Sequence, residues 1–241
     1  MPERATQSSQ GRAEERSRRT TERTAAEVAF RGTALERARL AAESLRDLLH
    51  DPEDTTRVFV LGLVVNRSIF PRVLEQIHFY DEGVRLFRER PAIDSKHVDF
   101  ERLRALPADT LGGAYARFLE ANRLDPDVFQ PPPGLPEVPA YLAQRMRQVH
   151  DIWHVLTGYD TDVGGELALQ AFTYGNIGAP SSALITLGGL ARFGLANLHY
   201  FALALDGFRR GRRAAFLPAV WLEERWERPL GEVKRELGLD P

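Results

Sequence analysis

Apolar residues recur at three- and four-residue intervals along most of the chain, and almost nowhere do they alternate. Leu35, Ala38, Leu40, Ala42, Leu45 and Leu48 form a stripe that predicts a helix from Thr33 to His50, stopped by Asp51-Pro52. Thr55 to Val65 is β-branched and apolar. No partner strand follows it, so it is expected as a buried helix. Phe70 to Arg90 is expected as one helix, with Pro71 in its first turn and Arg90-Pro91 as its stop. A loop runs on to about Phe100, and Thr110 to Asn122 is helical, capped by Asp109 or Thr110. The strong breaker Gln130-Pro131-Pro132-Pro133-Gly134 is read as a surface loop inside one domain. Beyond it, helices are expected over Val138 to Thr157, Asp162 to Asn176, Pro180 to Leu205, and Leu217 to Leu237 with a break near Pro229. The fold class is all-α, a single helical domain over residues 31–241.

Composition narrows the chemistry. The 241 residues suffice for a core without disulfides, and with no cysteine in the chain thiolate metal sites and thiol nucleophiles are excluded. A net charge of -2 gives no reason to expect nucleic acid as a partner. The first 30 residues are polar and carry Glu3, Glu14, Glu15, Glu22 and Glu27 among their arginines. That acid content argues against a transit peptide and for a disordered charged tail.

The candidate chemistry lies in one stretch. His150 and His154 are four apart on a predicted helix, so both imidazoles share a face and two nitrogens can reach one ion at about 2 Å. Asp151 sits about 100° around the helix, placed either to join them or to orient a ligand or water. Gly158 suits a left-handed helix end, and Asp162 is a good N-cap for the next helix. An antiparallel hairpin would then bring Glu166 to the level of His154. A capping box from Asp162 would fall on Gly165, so Glu166 has no capping role of that kind. The metal-binding hairpin of His150, Asp151, His154 and Glu166 suits zinc, iron or manganese. Two other readings stay open: coincidental spacing, and a metallohydrolase in which Asp151 replaces the general base of the His-Glu-x-x-His pattern.

The stretch His150-Asp151-x-x-His154 followed by eleven residues and Glu166 resembles the signature of the coenzyme Q (ubiquinone) biosynthesis protein 4 family. The likeness extends to Leu86-Phe87-Arg88-Glu89-Arg90-Pro91, to Leu106-Pro107-Ala108-Asp109-Thr110-Leu111-Gly112 with Tyr115 and Phe118, and to Tyr141, Arg145 and Arg147. The resemblance implies an all-helical fold with a bound divalent metal, usually zinc. It implies either chemistry at ring carbon 1 of a 4-hydroxy-polyprenylbenzoate, decarboxylation coupled to hydroxylation, or a non-catalytic scaffold or prenyl-lipid carrier for other quinone-biosynthesis enzymes. In the first case Asp151 and Glu166 are the candidate catalytic carboxylates, and Arg145 and Arg147 would bind the substrate's carboxylate. An ion pair of Arg147 with Asp151, one turn on, is the plainer alternative. Oxygen chemistry would favour iron over zinc, which has no redox function.

Ser182 to Leu205 is very apolar and long enough to span a bilayer, but Arg192 near its centre argues against that. It is expected as a buried core helix or as one wall of a tunnel for a polyprenylated ring intermediate or another isoprenoid lipid. Phe208-Arg209-Arg210-Gly211-Arg212-Arg213 follows, a basic cluster suited to a membrane surface or simply to a helix end. The same apolar helices could face a second subunit, making a homodimer. These features together lead to the expectation of a cytoplasmic protein, peripheral on the inner membrane of a bacterium.

Overall fold

A computed structural model describes residues 17, 21, 25–51, 54–128 and 134–239. Most of the expected N-terminal tail, and the triple proline at 131–133, lie outside them. Residues 25–31 are helical, and Ala25 and Ala26 are buried against Phe59, Val60 and Leu63. Small residues thus let that helix press closely against the segment that carries Phe59, Val60 and Leu63.

The described residues are all-helical, without a strand. After the helical residues 25–31 come α1 (Ala34–His50), α2 (Thr55–Asn66), α3 (Phe70–Ile77), α4 (Asp81–Glu89), α5 (Phe100–Ala105), α6 (Leu111–Asn122), α7 (Glu137–Thr157), α8 (Val163–Ile177), α9 (Pro180–Gly189), α10 (His199–Arg213) and α11 (Leu230–Glu236). Their starts follow side-chain caps. Thr33 forms a full capping box with Glu36, and Asp54, Asp99, Thr110 and Asp162 each accept from a main-chain N–H of the first turn. Gly158 (φ 75°) and Gly178 (φ 74°) close α7 and α8 in the left-handed conformation.

Three expected helices are broken. Phe70 to Arg90 is two helices, because His78 ends α3 and Tyr80 turns extended (φ -110°, ψ 126°), its ring stacked on Phe216. Pro180 to Leu205 is α9, a π-helical turn at Leu190–Gly194, an exposed corner and then α10. Asn197 makes that corner, accepting from the His199 N–H at 3.1 Å. Among the described residues no helix is long and apolar enough to cross a membrane. The expected core helix is also largely superficial, with Leu195 84 % and Leu198 71 % exposed. Leu217 to Leu237 is two 3₁₀ turns, Leu217–Ala219 and Leu222–Arg225, before the short α11. Pro218 and the packing of Trp226 flat on Tyr115 (5.6 Å between centroids) keep it from being helical throughout.

One core joins the inner faces of α3, α4, α6, α7, α8 and the C-terminal turns, centred on Trp153, Tyr115, Phe172, Ile152 and Leu156. The most extensive helix pair is α8 with α10. They approach this closely because glycines face backbone. A Cβ on Gly207 would lie 2.1 Å from the Ala168 carbonyl oxygen, and one on Gly211 would lie 2.1 Å from that of Phe172. Gly207→Ala is therefore expected to destabilise by about 1–3 kcal/mol, read as a fall of several degrees in Tm. An unchanged Tm would mean that the helices can separate at no cost.

Candidate metal centre

The last turns of α7 and the first turn of α8 form the hairpin. Ile152, Trp153 and Leu156 bury the inner face of α7, which leaves His150 and His154 directed along the side that meets α8. The Gly158 turn and the Asp162 cap, whose Oδ1 accepts from Gly165 N–H at 2.7 Å, then set Glu166 opposite them. Gly165 is needed there, since a Cβ would lie 2.0 Å from the Asp160 carbonyl oxygen.

Glu166 Oε1 is 3.2 Å from His154 Nε2, and Oε2 is 3.6 Å from His150 Nε2. One ligand atom from each of the three residues lies within 4.8 Å of the others. Two donors bound to one zinc ion at about 2 Å and tetrahedral angles are about 3.3 Å apart, which is close to this spacing. His154 is buried, its side chain 1 % exposed, whereas His150 (30 %) and Glu166 (41 %) reach the surface. His154 Nε2 is buried without a hydrogen bond. Such a lone pair, facing a carboxylate, lacks a positive partner that a cation would supply. The donors present thus fit a divalent metal.

The neighbours fix the ligands. His154 Nδ1 is 2.9 Å from the Tyr159 carbonyl oxygen, and Phe118 of α6 stacks on the His154 ring at 5.6 Å. Burial disfavours charge on His150, but the hydrogen bond and charge of Glu166, with Asp151, outweigh it and raise its pKa. Burial also raises Glu166, and the two imidazoles beside it, when they carry the proton that a metal would replace, reverse that and hold it at about 2. Burial keeps Asp151 above the usual carboxylate range, with the histidines opposing and Glu166 adding.

Not every expected site residue joins the group. Asp151 stands outside the three-donor cluster, about a third of a turn around α7. Arg145, itself buried, is taken by the mostly buried Glu223 of the second 3₁₀ turn, bidentate at 2.6 and 2.7 Å. Arg147 lies over the Phe59 ring, 3.3 Å from its centroid. The arginine pair expected to hold a substrate carboxylate is thus engaged in packing the fold. Within the basic cluster, Arg210 turns inward to the Thr157 carbonyl while Arg209, Arg212 and Arg213 stay exposed. Sequence reasoning missed Glu223, whose partner is 78 residues away, and the roles of Phe118, Tyr159 and Arg210. Only Phe118 had a signal, as part of the family-like helix.

A single all-helical domain whose central hairpin presents two histidines and a glutamate to one point defines a helical protein with a candidate three-donor metal centre. The chain belongs to the coenzyme Q (ubiquinone) biosynthesis protein Coq4 family, whose model matches residues 28–241. It is 34 % identical over 210 residues to the mitochondrial ubiquinone biosynthesis protein COQ4 homolog of Bos taurus, covering 86 % of this chain and 79 % of that protein. With the Homo sapiens homolog it shares 33 % over 208 residues, covering 85 % and 78 %. A protein from Nostoc punctiforme, known from a crystal structure, has the same fold, with a TM-score of 0.67 and 26 % identity over 85 % of this chain and 99 % of that one. The expectation of a cytoplasmic protein peripheral on a bacterial inner membrane is overturned. The curated relatives are mitochondrial by name, and apolar and basic surface residues alone cannot distinguish compartments.

Proposed function

We propose that the chain is a metal-dependent enzyme of ubiquinone biosynthesis, acting at ring carbon 1 of a 4-hydroxy-polyprenylbenzoate. The observation that supports this reading is the donor count. His150, His154 and Glu166 form a group of three, with Asp151 outside it, and three protein donors leave a coordination position open for water or substrate. A bound divalent ion would attract the ring's carboxylate or a ring oxygen and stabilise the charge that develops as carbon dioxide leaves.

The chain's own groups have separable tasks in this reading. Glu166, held at about 2, stays anionic throughout the working range. Asp151, raised by burial, is suited to carry a proton to or from the ring oxygen beside the reacting carbon. With Arg145 paired to Glu223, the leaving carboxylate has no call on that guanidinium. The coupled hydroxylation places a dioxygen-derived hydroxyl on carbon 1, the second oxygen leaving as water with two electrons from a reductant. Zinc satisfies the donors, but this step requires a redox ion such as iron.

A second reading, a scaffold or prenyl-lipid carrier with a structural metal, is favoured by one observation. Leu187, Leu195, Leu198, Phe201, Leu205 and Phe208 present exposed apolar side chains along α9, the corner and α10. A lipid tail, a lipid surface, a second copy or another pathway enzyme would suit that face. The deciding experiment loads the purified protein separately with iron, manganese and zinc. It supplies a short-chain prenylated 4-hydroxybenzoate, dioxygen and a reductant, and measures carbon dioxide and hydroxylated ring product. Turnover with iron and not with zinc is expected. Metal bound at one per chain without turnover by any ion, with prenylated compounds in the lipid extract, would replace the enzyme by the carrier.

A further inference from the structure

Which nitrogen of His154 faces Glu166 is decided at the other nitrogen. A carbonyl oxygen only accepts, so Tyr159 O at 2.9 Å from Nδ1 holds a proton there, and the neutral ring then keeps its lone pair on Nε2, 3.2 Å from Glu166 Oε1. That carbonyl belongs to the turn just past Gly158, whose nearest main-chain tie is the Gly158 N–H to the His154 carbonyl at 2.7 Å. Further support comes from α10. Arg210 Nη1 donates to Thr157 O at 2.9 Å, a carbonyl that the end of α7 leaves open, and Nη2 donates to Leu239 O at 3.2 Å. The guanidinium carbon lies 5.1 Å from the centroid of the Tyr159 ring. One turn earlier on α10, Asp206 accepts from the Tyr159 hydroxyl at 2.6 Å.

We propose that Arg210 and Asp206 of α10 are positioning residues of the metal centre: by clamping Thr157 and Tyr159 they keep the Tyr159 carbonyl on His154 and so set the imidazole tautomer that turns Nε2 toward the metal. The inference rests on the metal reading above, but its mechanism is a property of the metal-free chain. Were the carbonyl to swing away, the single proton of the neutral ring would pass to Nε2, where the Glu166 carboxylate 3.2 Å away accepts from it and where it blocks coordination.

The test uses the full chain and two readouts. Two-bond proton–nitrogen NMR spectra of metal-free protein report the His154 tautomer, and competition with a chelator reports the zinc Kd. Wild type is expected to show the Nδ1–H form. Arg210→Met is expected to show Nε2–H or a mixture and to weaken zinc binding by about 10- to 100-fold. Arg210→Lys, which can still reach the Thr157 carbonyl, should recover part of that. Asp206→Ala, which leaves the Tyr159 hydroxyl without its acceptor, is expected to move both readouts in the same direction as Arg210→Met. Tyr159→Phe removes one oxygen only and carries the test should Arg210→Met not fold. It is expected to move both readouts in the same direction. Retention of Nδ1–H and of wild-type zinc affinity in Tyr159→Phe and in any folded Arg210→Met would overturn the proposal. A wild type that binds no zinc would remove the metal reading instead, while the tautomer spectra would still decide the positioning role.

Discussion

His154→Ala is expected to reduce bound metal from about one per chain to none at micromolar protein. Structural zinc sites with four ligands bind with about 10–16 kcal/mol, so each ligand accounts for about 3 kcal/mol, a hundredfold or more in affinity. His154 is the anchor of the three. It alone is fully buried, with Nδ1 held by Tyr159 and the ring stacked on Phe118, so its loss cannot be made good by a swinging neighbour. Asp151→Asn is the contrast. It lies outside the donor group, so stoichiometry should survive and affinity should change by about tenfold or less. The metal content of both variants, purified without chelators, checks this. Equal metal in wild type and His154→Ala would show that the hairpin is not the site. Affinity should also fall with pH. His150 holds its proton more tightly than a free imidazole, and that proton must leave before a metal can bind.

Arg145→Leu is expected to cost about 3–5 kcal/mol of stability, seen as a fall in Tm on the order of 10 °C. The reason is the partner left behind. Glu223 is 13 % exposed and makes two hydrogen bonds to Arg145, so removing the guanidinium strands a carboxylate in the interior. The Arg145→Leu, Glu223→Leu double variant should lose much less than the two single losses added together, because a buried ion pair exchanged for apolar side chains is often close to neutral. Strict additivity in a thermal or urea unfolding cycle would show that the two side chains act independently. Activity is the second readout. Were Arg145 a substrate group, its variants would raise KM in a fully folded protein; as part of the fold, it should chiefly lower stability.

The local part of this molecule was legible and the long-range part was not. Helix starts at Thr33, Thr110 and Asp162, and ends at Gly158 and Gly178, depend on one side chain or one φ angle within a few residues, and the bounds of α1, α6, α7 and α8 follow from them. The same locality made the hairpin readable, since both histidines share one helix and the turn between is short. The breaks at Tyr80 and Asn197 were less visible. Asp81 and Glu82 do carry a helix-start signal, but the ring of Tyr80 is placed by Phe216, more than 100 residues on. The C-terminal turns had the periodicity of a helix. They are instead pinned by Pro218, by Trp226 on Tyr115 and by Glu223 on Arg145, and none of those pairings has a sequence spacing. For the same reason Arg145 resembled a free substrate arginine.

The hairpin also has a meaning for chain entropy. A metal held by His150, His154 and Glu166 cross-links a loop that begins and ends between residues 150 and 166. Closing so short a loop removes little freedom from the unfolded chain compared with a link between distant residues. The contacts that join distant parts of the chain are others: Arg145 with Glu223 across 78 residues, Arg210 with Thr157 across 53, and the glycines of α10 against α8. The metal would therefore be a guest of a topology already closed without it, able to exchange at the Glu166 edge while the chain stays laced.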